Sequence, residues 1–152
     1  MPALNLPPVD LKICKQEGKD YVFDGLRRQY VRLTPEEFVR QHFISYLLNY
    51  KNYPAARLVN EVQISLGNVN KRCDTILYDD FLQPLMIIEY KAPSVSIDQK
   101  TFDQIARYNM TLNVPWLVIS NGIQHFCCRI EKEDVVFEKE IPDFKNLRSL
   151  SR

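Results

Sequence analysis

The stretch "PLMIIEYKAP", residues 84–93, decides the fold. It opens as an almost wholly apolar run, the signature of a central strand buried on both faces. It then meets Glu89 and Lys91 and stops at Pro93. In a strand, side chains two apart project to the same face, so the acid and the base lie side by side at the end of a core element.

Upstream, "RCDTILYD" (72–79) alternates and reads as a strand, and the six residues "DDFLQP" between the two runs read as a turn. The pair is expected to form an antiparallel hairpin. If the hairpin is symmetric about its turn, Tyr78 pairs with Leu85 and, in step, Asp74 falls opposite Glu89. Two carboxylates facing each other across a ladder repel. A cation is therefore expected between them, either Lys91 or a divalent metal. Hard ions such as magnesium take carboxylate oxygens and leave positions for water and phosphate. The trio Asp74, Glu89, Lys91 thus reads as a chemical proposal: two metal-holding acids and a lysine at the nucleophile or the developing charge. The same spacing also arises in ordinary surface ion pairs.

Working outward, "LTPEEFVRQHFISYLLNY" carries Thr34 as a cap, Pro35 at the first helical position and Glu37 three residues after the cap, a capping box. Val39, Phe43, Tyr46, Leu47 and Tyr50 recur at helical spacing, which predicts a helix over 35–50. "RLVNEVQISLG" reads as a strand closed by Gly67. "SIDQKTFDQIARYNMTLN" reads as a second helix, capped by Ser96, with Phe102, Ile105, Ala106, Asn109 and Leu112 in one stripe. "PWLVISNG" reads as a short buried strand ended by an Asn-Gly turn. "IQHFCCRI" and "DVVFEKE" supply two more strands. Residues 1–30 are read as a lead-in packed on the body and 139–152 as peripheral.

The chain has 152 residues, 45% hydrophobic and 26% charged, with 4 Gly against 9 Pro, the profile of one globular domain spanning 1–152. No apolar run approaches the ~20 residues of a membrane span, and no leader is evident, so no membrane partner is expected and the reading is cytoplasmic. Cys14, Cys73, Cys127 and Cys128 lack zinc spacing and read as small reduced residues, the adjacent pair pointing to opposite faces of a strand. A net charge of +1 leaves no global basic field, so a nucleic-acid partner needs a local patch. Arg27, Arg28, Lys71, Arg72, Lys100 and Arg107 flank the trio and either form that patch or are solvated. His42 and His125 lie far from the acid motif and read as core or surface residues.

The order helix, three strands, helix, strand, with the trio on two consecutive strands, resembles the PD-(D/E)xK nuclease superfamily. The blocks "LTPEEFVRQHF", "RCDTILYD", "PLMIIEYKAP", "QIARY" and "VPWLVISNG", in this order over about residues 22–130, resemble the N-terminal nuclease domain of type I restriction enzyme R (motor) subunits, in its short stand-alone form. The resemblance implies an α/β restriction-endonuclease-like core with a mixed central sheet and extra C-terminal strands, and magnesium- or manganese-dependent hydrolysis of DNA. It implies Asp74 and Glu89 as metal ligands, joined by the Tyr90 carbonyl, and Lys91 as the motif lysine. Glu37 matches a first-helix acid that faces the metal, which stands beside its capping-box role. Gln104 and Tyr108 match a supporting QxxxY element, which stands beside an ordinary polar helix edge. Cys73 replaces the motif proline. The implied partners are DNA and a motor or specificity subunit, and a homo-oligomer is compatible; 152 residues are expected to hold no motor of their own. A non-catalytic nucleic-acid-binding or assembly module on the same fold is the alternative.

Overall fold

In the computed structural model, residues 3–132 and 134–150 are described; positions 1–2, 133 and 151–152 of the expected 1–152 domain lie outside the described residues. The body is a six-stranded mixed sheet in sequential order: β4 (Leu58–Leu66), β5 (Val69–Tyr78), β6 (Pro84–Tyr90), β7 (Trp116–Ser120), β8 (His125–Glu131) and β9 (Asp134–Glu138). Only β6 and β7 run parallel, because α2 (Gln99–Met110) makes the crossover between them. α1 (Pro35–Tyr50) precedes the sheet.

Two cores follow from the period-2 alternation of the central strands. Met86, Ile88, Trp116 and Val118 face α1 and pack with Val39, Phe43 and Leu47. The intervening Ile87, Leu117 and Ile119 face the other way, onto Phe102 and Ala106 of α2. All seven of these strand side chains are fully buried, which is why β6 and β7 carry no polar alternation. The same rule splits Cys127 and Cys128, the first in the α1 core and the second in the α2 core. All four cysteines are free thiols.

α1 begins as its sequence dictates: Thr34 Oγ1 accepts from Glu37 N at 3.1 Å, with Pro35 in the first turn. α2 starts later than expected. Asp98, not Ser96, is its cap, with Oδ1 accepting from Thr101 N at 2.7 Å. A carboxylate is the stronger partner for the positive end of a helix, and it wins over the hydroxyl two residues earlier.

The β5–β6 hairpin keeps the expected step from Leu77 opposite Met86 to Thr75 opposite Ile88, where the paired register ends, and Asp74 meets β6 through its carboxylate, which accepts from Tyr90 N. At the turn end the register slips, and Tyr78 pairs with Pro84 rather than Leu85. Asp79 causes the slip: its carboxylate accepts from the Phe81 and Gln83 amides and folds the turn back on itself.

Residues 13–32, expected as part of a lead-in, form a separate antiparallel sheet of β1 (Ile13–Gln16), β2 (Lys19–Asp24) and β3 (Gln29–Arg32). Its first turn, Glu17-Gly18, has positive φ at both positions, 52° and 76°, which suits a tight two-residue hairpin. The C-terminal segment is not peripheral either. In α3 (Phe144–Leu150), Leu147 is fully buried in the α1 core beside Ile141. No helix among the described residues is long and apolar enough to cross a membrane.

Candidate active site

A cavity of about 520 Å³ opens between the first turn of α1, strand β3, the middles of β4 and β5 and the end of β6. Asp74, Glu89, Tyr90, Lys91 and Glu37 all line it. Five of the seven residues singled out from the sequence therefore meet in one place.

Asp74 occupies the point where β5 breaks its alternation. Cys73 packs in the α2 core, yet Thr75, two residues on, turns to the α1 side and bonds Asn60 and the Tyr90 hydroxyl. On the neighbouring strand β4, Glu61 falls out of the ladder between the pairs Asn60–Thr75 and Val62–Cys73, with φ at +59°. The Asp74 carbonyl accepts from Arg40 Nη1 at 2.8 Å. Its carboxylate accepts from Tyr90 N at 2.9 Å, which aims the side chain at β6. Burial pushes the Asp74 carboxyl above its ordinary pKa, and the Tyr90 amide and Arg40 only partly offset this. The site therefore favours additional positive charge beside Asp74.

Glu89 has a cation already. Its Oε1 contacts Lys71 Nζ, reached from β5, with both side chains mostly buried. Lys91 lies just past β6 and is held by its own amide, which donates to the Ser120 carbonyl at 2.8 Å. Lys91 has no ion-pair partner among the described residues, so its ammonium is available to the cavity.

Glu37 differs from the other two acids. It is buried, and its oxygens accept from Arg27 Nη2 at 2.7 Å, Arg40 Nη2 at 2.5 Å, Arg40 Nε at 3.0 Å and Gln41 Nε2 at 2.9 Å. Burial pushes its carboxyl up, but Arg40, Gln41 and Arg27 outweigh that and hold it below the ordinary range. Its side chain does not return to cap Thr34; only the Thr34 half of the capping box forms.

Tyr108 reaches the site at one remove. Lys71 Nζ sits 5.4 Å from its ring centre, and its hydroxyl donates to the Asn70 carbonyl at 3.3 Å. Gln104 is exposed one turn earlier and does not line the cavity. Of the basic residues flagged in the sequence, Arg27, Lys71 and Arg72 are taken by Asp24 and Glu37, Glu89, and Glu61 respectively.

Arg40 is the main residue that sequence reading passed over. It is buried, reaches Glu37, Glu61 and the Asp74 carbonyl, and stacks its guanidinium 5.9 Å from the Tyr90 ring. Its one sequence signal is its place a single turn after Glu37 on a helix whose other buried positions are mostly apolar. Among the described residues, no group of three His, Cys, Asp or Glu side chains is placed to hold a metal ion.

The model of the family described as type I restriction enzyme R protein N terminus matches residues 35–143. This chain belongs to that family. The match runs from the first residue of α1 to just before α3, so it takes in both helices, the whole six-stranded sheet and the cavity's acids, and leaves out the β1–β3 sheet. Among solved structures, the cryoEM structure of a DrdV–DNA complex is similar at 18% identity and a TM-score of 0.45, over 77% of this chain and 12% of that one. The chain thus spans only a small part of that protein's length. Curated proteins give no match.

Proposed function

We propose that this R-protein N-terminal domain is a magnesium- or manganese-dependent endonuclease hydrolysing DNA phosphodiester bonds on a restriction-endonuclease-like core. The observation that carries the reading is the meeting of Asp74, Glu89, Tyr90 and Lys91, from two adjoining strands, on one cavity.

The donor set suits such an ion. Magnesium is commonly held by one or two carboxylates, with waters and substrate phosphates completing the octahedron, so a third acid is not required. Asp74 and Glu89 would hold it, with the Tyr90 carbonyl as a further oxygen. Asp74, buried and short of positive charge, gains most from its arrival. When bound, such an ion polarises a phosphodiester oxygen and lowers the pKa of an attacking water.

The protein groups do the rest. Lys91 orients the nucleophile and meets the negative charge that builds on the phosphate. Arg40 fixes the Asp74 backbone and so the direction of its carboxylate. Glu37, saturated by four donors, acts as the anchor of Arg40 rather than as a ligand. Tyr108 supports the site through Lys71, and Gln104 stands at the outer edge where a DNA backbone passes. A motor or specificity subunit in the cytoplasm would bring the domain to its substrate.

A second reading, a non-catalytic nucleic-acid-binding or assembly module, draws on the Lys71–Glu89 pair, which neutralises one of the two acids within the chain. One assay separates the two. Purified protein, Asp74→Ala and Lys91→Ala are incubated with circular and single-stranded DNA in magnesium or manganese. Cleavage by the parent that both variants lose supports the nuclease, and binding without cleavage under every condition supports the module.

A further inference from the structure

The three-stranded sheet presents one face that the cavity's chemistry does not use. Alternation sends Val22 and Asp24 of β2 inward, where both are buried. Lys19, Tyr21 and Phe23 therefore share the opposite face, and cross-strand pairing adds Arg32 opposite Tyr21 and Tyr30 opposite Phe23. Lys12 joins from the other side, its carbonyl bonded to Phe23 N. The remaining positions of this face, Cys14 and Gln16, are uncharged. The result is three aromatic rings interleaved with three cations, with Asp10 beside Lys12 and Phe23 at the margin, on a chain whose net charge is only +1.

The contacts within the face are of the kind that a nucleic acid can replace. Lys12 Nζ lies 5.6 Å from the Phe23 ring centre and the Arg32 guanidinium 5.7 Å from that of Tyr21, while Phe23 and Tyr30 meet edge to face at 5.3 Å. Tyr30 is 45% exposed. Arg32 belongs to this face and also lines the cavity that holds Asp74, Glu89 and Lys91, so the two surfaces are continuous.

We infer that this sheet face is a docking platform for single-stranded DNA, which stacks its bases on Tyr30, Phe23 and Tyr21 while Lys12, Lys19 and Arg32 hold its phosphates, and which leads the strand into the cavity. A base offers its π-face to a protein ring only when it is unstacked, so aromatic platforms select unpaired strands, and interleaved cations follow the backbone. The choice of DNA rests on the nuclease reading above; the platform itself does not.

The test is binding without metal. Fluorescence anisotropy in EDTA, on the full chain, compares an oligo-dT of about 20 nucleotides with a duplex and an oligo-U of the same length. The oligo-dT is expected to bind about tenfold or more tighter than the duplex. Tyr30→Ala should weaken it about tenfold, the loss from one stacked base, while Tyr30→Trp restores it. Arg32→Gln should flatten the salt dependence between about 50 and 200 mM. Circular dichroism confirms that each variant is folded. Equal or tighter binding of the duplex overturns the inference, as does a folded Tyr30→Ala that binds like the parent, and tighter binding of the oligo-U overturns its choice of DNA. Because no cleavage is read, a protein that binds as expected yet never cuts DNA refutes the nuclease reading alone, and one that cuts without depending on Tyr30 refutes the platform alone.

Discussion

Lys71 places its ammonium against Glu89 Oε1, across the β5–β6 hairpin and over the ring of Tyr108. A lysine side chain thus supplies Glu89 with its positive charge from within the chain. Burial holds the Lys71 ammonium below its ordinary pKa, and nearby Lys91 pushes the same way. On the proposed reading, a divalent ion at Asp74 and Glu89 would have to displace this group. Lys71→Met keeps the stem and removes the charge, so it is expected to raise manganese affinity about tenfold, or ~1.4 kcal/mol. Isothermal titration calorimetry reads this directly, and an affinity that falls or stays level would show that Lys71 does not compete with the ion.

Asp24 ties the small sheet to the large one. It is 1% exposed and accepts from Leu26 N at 2.9 Å, from Asn60 Nδ2 at 2.9 Å and from Arg27 Nε, while Arg27 continues to Glu37. Truncating it leaves a buried amide and part of a guanidinium without partners. Asp24→Ala is expected to cost about 3–5 kcal/mol, the range for breaking a buried pair from one side, read as a lowered urea midpoint with an unchanged slope. Burial raises the Asp24 carboxyl, but Arg27, Asn60 and the Leu26 amide more than offset this and hold it below the ordinary aspartate value of 3.8. The stability it contributes is thus fully present above that value and is lost as pH falls through the depressed one.

How much of this was legible depends on the range of the interaction. The helix at 35–50 and the hydrophobic alternation of β6 and β7 are local patterns, and both appear as read. The hairpin register from Leu77 opposite Met86 to Thr75 opposite Ile88 was legible because a register is a local quantity too, and it is disturbed at Tyr78 by the Asp79 turn. Arg40 and Lys71 were not, because their roles depend on partners 34 and 18 residues away in the chain. A charged side chain carries no mark of which acid it will meet. The β1–β3 sheet was missed for another reason: its strands are short and mostly polar on one face, so its strongest sign was the Glu17-Gly18 turn.

Leu147 anchors the C-terminal helix together with Phe144, whose ring lies 5.9 Å from that of Tyr53. Leu147 is fully buried in the α1 core, in the same cluster as Ile141 and Tyr53, whose hydroxyl donates to the Pro142 carbonyl at 3.0 Å. Leu147→Ala removes a buried branched side chain and leaves a cavity, which costs about 2–5 kcal/mol. A thermal midpoint within error of the parent would show that this segment is not part of the cooperative unit.

His125 closes a chain of bonds behind α1. Its Nε2 lies 2.9 Å from the Asn5 carbonyl, which can only accept, so Nε2 carries the proton. Nδ1 then accepts from Ser120 Oγ at 2.7 Å, and that hydroxyl oxygen in turn accepts from Gly122 N at 2.9 Å. The neutral ring fits this arrangement, whereas in the imidazolium Nδ1 would donate and the serine hydroxyl proton would lose its acceptor. Burial accordingly holds His125 below its ordinary pKa, against a smaller opposing pull from the Asn5 carbonyl. For a base whose folded pKa is depressed, the unfolded chain binds the extra proton first, so stability is complete above the ordinary histidine value near 6.5 and falls as pH drops toward the folded value. Urea unfolding of the parent at about pH 7.5 and 5.5 should show this loss. His125→Gln, which cannot take up that proton, should lose less between the same two conditions, and an identical loss in both proteins would remove His125 from the account.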